Sequence, residues 1–373
     1  MLRLITADEL RSGAFVEGWR SLLRQCPPYD LGQTESWNRL WCRHYVDDGS
    51  SGREPFVVAD EDQGQIVSLW PLFVRRRFGL KVLSWIGQTG GMITDYTLPL
   101  LPTGRRDEGV RKFLDFIVDN AERWDIVDLS IPQWSGLLGV FTKAATVHGS
   151  RRQLSWSSHI VEHCTAIELP GTFDAFLTTL GSTTRSHVRQ YLRAADKAGA
   201  RLEIVRGSDC GAALPELLRL NRERWEVFAD ARAREFLTDY VACLGSGDED
   251  IFIASLRCQD RVVATILGFE NQGVCYLHSA GVARDASVGF SPGTAMYAMM
   301  IEALIAKGLV RVDMSPGMEE YKLRLGAAVE CVYGMTLWRR SLAADRWRLG
   351  QAIISGRRWA IAARDRFARA LRR

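Results

Sequence analysis

The residues best suited to chemistry gather in the second half of the chain. His278 ends the apolar run Tyr276-Leu277-His278, which reads as a strand. The near-neutral pKa of a histidine suits a general base, with an ordinary packed histidine as the alternative. Asp313 stands near the end of a second run, Leu309-Val310-Arg311-Val312-Asp313-Met314, that stops at Pro316. Active-site groups of open α/β sheets collect at such strand ends. Past a turn at Pro316-Gly317 come Glu319, Glu320, Tyr321 and Lys322. A tyrosine there can protonate a departing thiolate, a lysine can neutralise a phosphate, and the two glutamates are runner-up bases. The plain alternative for each is a surface residue beside a turn.

Between these runs, Gly289-Phe290-Ser291-Pro292-Gly293-Thr294 opens a helical stretch carrying Met296, Met299, Met300 and Leu304. Serine followed by proline marks a helix start. The first amides of a helix have no internal partners, and glycine lets an anion come close to the backbone. Gly289, Ser291, Pro292, Gly293 and Thr294 are therefore candidates for gripping a pyrophosphate, against the simpler reading of a capped helix start. No Gly-x-x-x-x-Gly-Lys-Ser/Thr string occurs, and no Gly-x-Gly-x-x-Gly follows a strand. Both absences argue against a P-loop nucleotidase or a dinucleotide-binding Rossmann site.

Two more sets of polar residues lie on helices expected within residues 172–230. Asn221 shares the apolar face Leu214, Leu217, Leu218, Trp225 and Phe228, so its amide either ties down backbone or lines a substrate cleft. Arg224, beside Trp225, pairs with a carboxylate such as Asp313 or Glu319, or else binds substrate. On the stretch 186–197, Arg185, Arg189, Arg193 and Lys197 recur every four residues, opposite Val188, Tyr191, Leu192 and Ala195. Like charges in one stripe repel unless something anionic meets them. The stripe is either a solvated face near acidic groups or a cradle for a phosphorylated acceptor, a lipid-linked sugar or an RNA.

The elements that would position these residues occur twice. Phe56-Val57-Val58-Ala59 passes through a polar, glycine-containing turn into Ile66-Val67-Ser68-Leu69-Trp70, a hairpin pattern. Ile251 to Ala254 and Val262 to Leu267 repeat it. Each hairpin is followed by a helix, with Val110, Phe113, Leu114 and Ile117 in the first copy, and then by a closing strand. Asp128 and Asp313 fall at equivalent places. A duplicated α/β module is the reading, each unit a mixed sheet flanked by helices.

At 373 residues and 47% hydrophobic, the chain is long enough for two or three domains. No apolar run is long enough to span a membrane, and Met1 to Leu10 lacks a secretory signal, so the expectation is a cytosolic protein. Eight cysteines are scattered singly without metal-ligand spacing, so no metal is implied. From Trp338 onward, eleven arginines stand against Asp345 and Asp365, so the net charge of +4 conceals an acidic body and a basic tail. That tail, with Trp347, Ile353, Ile354, Trp359, Ile361, Phe367 and Leu371, suits a basic amphipathic helix on an anionic membrane surface, or one packed on the body.

Taken in order, Arg224-Trp225, the second hairpin, Ser291-Pro292-Gly293-Thr294, and Asp313 through Gly317 to Tyr321-Lys322 resemble the acetyltransferase-like family called CelD or BioF2-like. In the first half the resemblance includes Trp37, Trp70-Pro71-Leu72, Ile86-Gly87 and Asp95-Tyr96, and it spans roughly residues 15–340. The family belongs to the GCN5-related N-acetyltransferase (GNAT) superfamily and is similar to the FemAB peptidoglycan aminoacyltransferases. Where it commonly has Leu-His, this chain has Leu220-Asn221. The resemblance, with the repeat, implies a tandem of GNAT-like modules over 1–165 and 166–340, and the composition of the tail adds a basic C-terminal helix over 341–373. It further implies acetyl-CoA or another acyl-CoA as donor and a cell-envelope or polysaccharide-related acceptor, with Asp95 and Tyr96 among the substrate-binding residues. Two rival readings are a transferase drawing on aminoacyl-tRNA, which would bring nucleic acid in as a partner, and a non-catalytic accessory protein of polysaccharide synthesis.

Overall fold

The computed structural model describes residues 2–46, 52–88, 95–152, 154–224, 228, 230–245, 250–284, 288–339 and 342–353. The strands of the first half are β1 (Leu2–Leu4), β2 (Arg53–Pro55), β3 (Val58–Asp62), β4 (Gln65–Trp70), β5 (Leu72–Arg77), β6 (Leu80–Trp85) and β7 (Ile126–Pro132). Those of the second are β8 (Leu154–Glu168), β9 (Arg201–Arg206), β10 (Ile251–Cys258), β11 (Arg261–Asn271), β12 (Val274–Val282), β13 (Arg311–Pro316) and β14 (Ala328–Arg339). They form a small sheet, β1-β3-β4, and a large one, β2-β5-β6-β7-β14-β8-β13-β12-β11-β10-β9.

The expected repetition is present in the topology. β1 and β9 each pair antiparallel with the first strand of a hairpin, β3 or β10. Each half then has one parallel pairing, β6 with β7 and β12 with β13, entered through the helices Arg106–Asp119 and Pro292–Ala306. β10 and β11 are buried along almost their whole length, which is why they read as continuous apolar runs rather than alternating ones.

The copies differ at one proline. In the second half β11 runs unbroken from Arg261 to Asn271, whereas its counterpart is split by Pro71 into β4, paired with β3, and β5, paired with β6. Proline has no amide hydrogen to give a ladder, so it marks where the strand leaves one sheet for the other.

The halves also interlock. β14 lies between β7 and β8 and pairs antiparallel with both, while β8 continues the sheet to β13. A boundary at 165 therefore falls inside β8, and the last strand of the chain sits beside the first half. Behind this shared sheet, one hydrophobic cluster draws from both halves. Trp37, on the helix Glu35–Tyr45, meets Phe236 and Tyr240 of the helix Ala231–Ala242 edge-on, with ring centroids 4.7 and 4.9 Å apart. Each such aromatic pair adds about 0.5–1.5 kcal/mol beyond its buried area. The seam between modules is thus a core, and groups placed across it hold fixed positions.

Of the basic tail, residues 342–353 are helical. Trp347 is buried there against Phe78, 5.9 Å between centroids, while Leu342, Leu349 and Ile353 are exposed. Ile354, Trp359, Ile361, Phe367 and Leu371 lie outside the described residues. Among the described residues no helix is long and apolar enough to cross a membrane.

Candidate functional site

β12 and β13 run side by side only from Val274 opposite Arg311 to Tyr276 opposite Asp313. Beyond that register they are no longer paired, and the side chains at their ends meet the first module. Strand alternation puts His278 of β12 on the same face as Tyr276, and Asp313 and Ser315 of β13 on the same face as Arg311. Opposite them stand Asp30, just ahead of the turn Leu31–Gln33, and Asp95 and Tyr96, from the segment after β6.

The side chains form one network. His278 Nδ1 lies 3.0 Å from Asp95 Oδ2, and its Nε2 lies 2.9 Å from Asp30 Oδ1. The Ser315 hydroxyl is 2.8 Å from Asp95 Oδ2, and the Tyr96 hydroxyl donates to Asp313 Oδ1 at 2.9 Å. The Ser315 amide donates to the same Asp313 oxygen at 2.8 Å, held there by a left-handed backbone with φ 63°. Burial by itself would lower the His278 pKa, but the charges and hydrogen bonds of Asp30 and Asp95 hold it well above the ordinary value. Both nitrogens of His278 face carboxylates, which favours its protonated form. His278, expected as a general base, is thus placed between two carboxylates of the first module.

Asp313 is buried beside this network. Burial pushes its carboxyl up to about 7, although the Ser315 amide and the Tyr96 hydroxyl pull the other way. A carboxyl near neutrality can both accept and return a proton at working pH. Its Oδ2 has no hydrogen-bond partner among the described residues.

Both shifts set the sign of a pH effect. Asp313 has a folded value above the ordinary 3.8, so its contribution to stability is complete below about pH 4 and is lost as pH rises to about 7. The contribution of His278 is complete below its ordinary 6.5 and is lost as pH rises through its raised value. Stability from this network should fall as pH climbs. Urea midpoints of wild type and Asp313→Asn, taken from pH 4 to 8, should converge or cross, with wild type losing ground between pH 4 and 7. Parallel curves would show that Asp313 keeps an ordinary pKa.

A cavity of about 260 Å³ opens on this face, lined among others by Asp30, Tyr96, Arg106, Trp134, Tyr276 and Arg311. Trp134 packs edge-on against Tyr96 at 5.0 Å. Arg311 is clasped by Glu168 and Glu330. Arg106 has no carboxylate partner among the described residues, and its Nε is buried without a hydrogen bond.

On the other face of β12 lies the helix Pro292–Ala306. Ser291 is its N-cap residue, yet its hydroxyl sits 3.0 Å from the Thr294 hydroxyl and caps no amide. Pro292 has no amide hydrogen, so Gly293 and Thr294 present the first N–H groups of the helix. A side chain at Gly293 would meet only Val282, at 3.4 Å, which leaves the approach open. These residues fit an anionic group. Gly289, at φ 76°, shapes the loop before them. Tyr321 stands on this side too, its hydroxyl 3.3 Å from that of Tyr297 on the same helix.

Other expected site residues have structural partners. Lys322 is buried, donates to the carbonyls of Pro316 at 2.8 Å and Ser315 at 3.3 Å, and pairs with Glu319 at 3.0 Å. It fastens the turn after β13 and has no ammonium left for a phosphate, and Glu319 is committed to it. Asn221 donates to the carbonyl of Ala280 at 2.8 Å, with its Oδ1 unpartnered among the described residues. Arg189 and Arg193 are exposed on the helix Ser182–Lys197 and have no ion-pair partner among the described residues. Trp225 and the Arg224 side chain lie outside what is described.

With the geometry in view, residues 182–323 match the model of the acetyltransferase (GNAT) domain. The chain carries a GNAT acetyltransferase-like domain. Its fold over nearly the whole length is similar to that of FemX, with a TM-score of 0.61 and 12% identity, covering 94% of this chain and 99% of FemX. It is similar also to L-PGS from Bacillus licheniformis, with a TM-score of 0.55 and 12% identity, covering 90% of this chain and 96% of that one. At such identities the likeness is one of fold. No curated protein matches the chain in sequence.

Asp30, Ser315, Arg106 and Trp134 were not anticipated as site residues. Asp30 gives only a helix-cap signal, which it also fulfils by accepting from the Leu31 amide at 2.7 Å.

Proposed function

We propose that the chain transfers an acyl or aminoacyl group to an amine or hydroxyl acceptor. The anionic part of the donor is held at Gly293 and Thr294, and the acceptor in the seam cavity beside Trp134 and Arg106. The observation that carries this reading is the end of the β12–β13 pairing, with an uncapped helix start on one side and the Tyr96–Asp313 pair on the other. As the acceptor attacks the donor carbonyl, its proton passes to Tyr96 while the Tyr96 proton moves to Asp313. His278 positions Asp30 and Asp95, and Tyr321 stands on the donor side for the leaving group.

Between donors, aminoacyl-tRNA is the better supported. Likeness to FemX extends over both modules, and Arg189 and Arg193 offer exposed charge without an ion pair. Acyl-CoA is the second reading, supported by the acetyltransferase match over 182–323 and the compact anion site. A cell-envelope acceptor follows from the CelD or BioF2-like resemblance, and the basic tail supports action at the inner face of the membrane.

Titration with charged tRNA and, separately, with acetyl-CoA tests the choice. On the preferred reading charged tRNA binds with an affinity that falls steeply as salt rises, and Arg189→Glu with Arg193→Glu weakens it at least about tenfold. Binding of acetyl-CoA alone, lost in Gly293→Trp, selects the second reading. Binding of neither removes the transferase reading and leaves the accessory protein.

A further inference from the structure

A larger cavity, of about 520 Å³, lies mainly in the first module, between the helices Gly13–Leu23 and Glu35–Tyr45 and the backbone around Pro55 and Val57, with Cys243 of the second module also lining it. That is the size of a small-molecule site. It shares no lining residue with the seam cavity. Its floor is apolar: Leu10, Trp19, Leu40, Val57 and Ile86 are all buried. The donors nearby are already used, since Trp19 Nε1 donates to the Gln33 carbonyl at 2.9 Å and Asn38 Nδ2 to those of Gly32 and Thr34, while Asn38 Oδ1 is a buried acceptor with no partner among the described residues. A ligand with polar groups along its length would leave them unpaired against such a floor.

The mouth is different. Arg11, Arg20, Arg39 and Arg43 line it, with Glu35 as the one carboxylate among the lining residues. Glu35 is spent on Arg20 and Arg39. Arg11 lies 3.8 Å from a fully exposed Asp8, and Arg43 is exposed with no ion-pair partner among the described residues. Positive charge is thus concentrated at one opening of a body that is acidic on balance, which draws an anion to that point.

We infer that this cavity binds a single-chain anionic amphiphile, with its chain on the apolar floor and its carboxylate or phosphate head among the arginines. The site stands apart from the transfer chemistry and does not rest on it. Calorimetry with dodecanoate, dodecyl phosphate and dodecanol, each below its aggregation limit, tests the inference on the full chain. Two variants at partly exposed positions accompany wild type: Arg43→Glu at the mouth and Ser36→Trp across it. One or both anions should bind wild type, the stronger naming the head group, with dodecanol at least about tenfold weaker, a difference of about 1.4 kcal/mol. Arg43→Glu should weaken the anions about tenfold while leaving dodecanol unchanged, and Ser36→Trp should block all three. Binding of dodecanol as tight as that of the anions, undiminished binding in Ser36→Trp, or no binding of either anion to wild type would overturn it.

Discussion

His278→Leu is expected to destabilise the protein by about 3–5 kcal/mol at neutral pH, the range found when one partner of a buried ion pair is removed. Two carboxylates depend on this imidazolium. The Asp30 side chain is 1% exposed and the Asp95 side chain 22%, and both belong to the first module while His278 belongs to the second. Leucine fills the volume but leaves their charges facing apolar surroundings. By linkage the loss should be fully present at pH 5, below the ordinary value of a histidine, and should shrink only as pH rises through the raised value of His278. Adding Asp30→Asn to His278→Leu should recover a large part of the stability, because the amide keeps the size of the side chain without its charge. Urea unfolding of the three variants at pH 5 and pH 7.5 decides the matter. A His278→Leu protein within about 1 kcal/mol of wild type at pH 7.5 would mean that the network carries no buried charge.

How much of this arrangement is readable from sequence depends on how local its causes are. The hairpin turning at Gln63-Gly64, the paired helices after each hairpin and the equivalence of Asp128 with Asp313 are local patterns, and each is found where its periodicity puts it. The partners of the chemistry are not local. Asp95 and His278 are 183 residues apart, and nothing around Asp30 distinguishes a helix cap from a charge partner of a distant histidine. Lys322 shows the same limit in reverse. Beside a glycine turn it reads as a surface residue, yet it is buried because the left-handed Ser315 turns two carbonyls toward it. The pairing of β14 with both β7 and β8 has no local sequence signal either, since strand alternation sets which face is buried but not which strand lies alongside. The polar seam therefore emerges only when both modules are assembled.

Gly281→Ala tests that assembly from the backbone side. Gly281 reads as an ordinary loop glycine after a strand, but it lies within β12 under the helix Cys210–Arg224. A β-carbon there would come within 2.6 Å of the Asn221 amide nitrogen and of the Leu220 carbonyl carbon. Both are backbone atoms, so no side-chain rotation relieves the clash and the helix itself must move away by about 1 Å, at a typical overpacking cost of about 1–3 kcal/mol. That shift would also break the Asn221 hydrogen bond to the Ala280 carbonyl. It would displace β12 next to Val282, the residue that flanks Gly293 at the donor turn. Gly281→Ala should therefore lose both stability and donor affinity, the latter by about tenfold or more. Asn221→Ala provides the comparison: it removes the hydrogen bond without forcing the backbone apart, and should lose about 1–3 kcal/mol with donor affinity nearly unchanged. If Gly281→Ala matches wild type in its urea midpoint and its donor titration, the helix is not held by this contact, and the geometry of the seam must rest on the aromatic core around Trp37 alone.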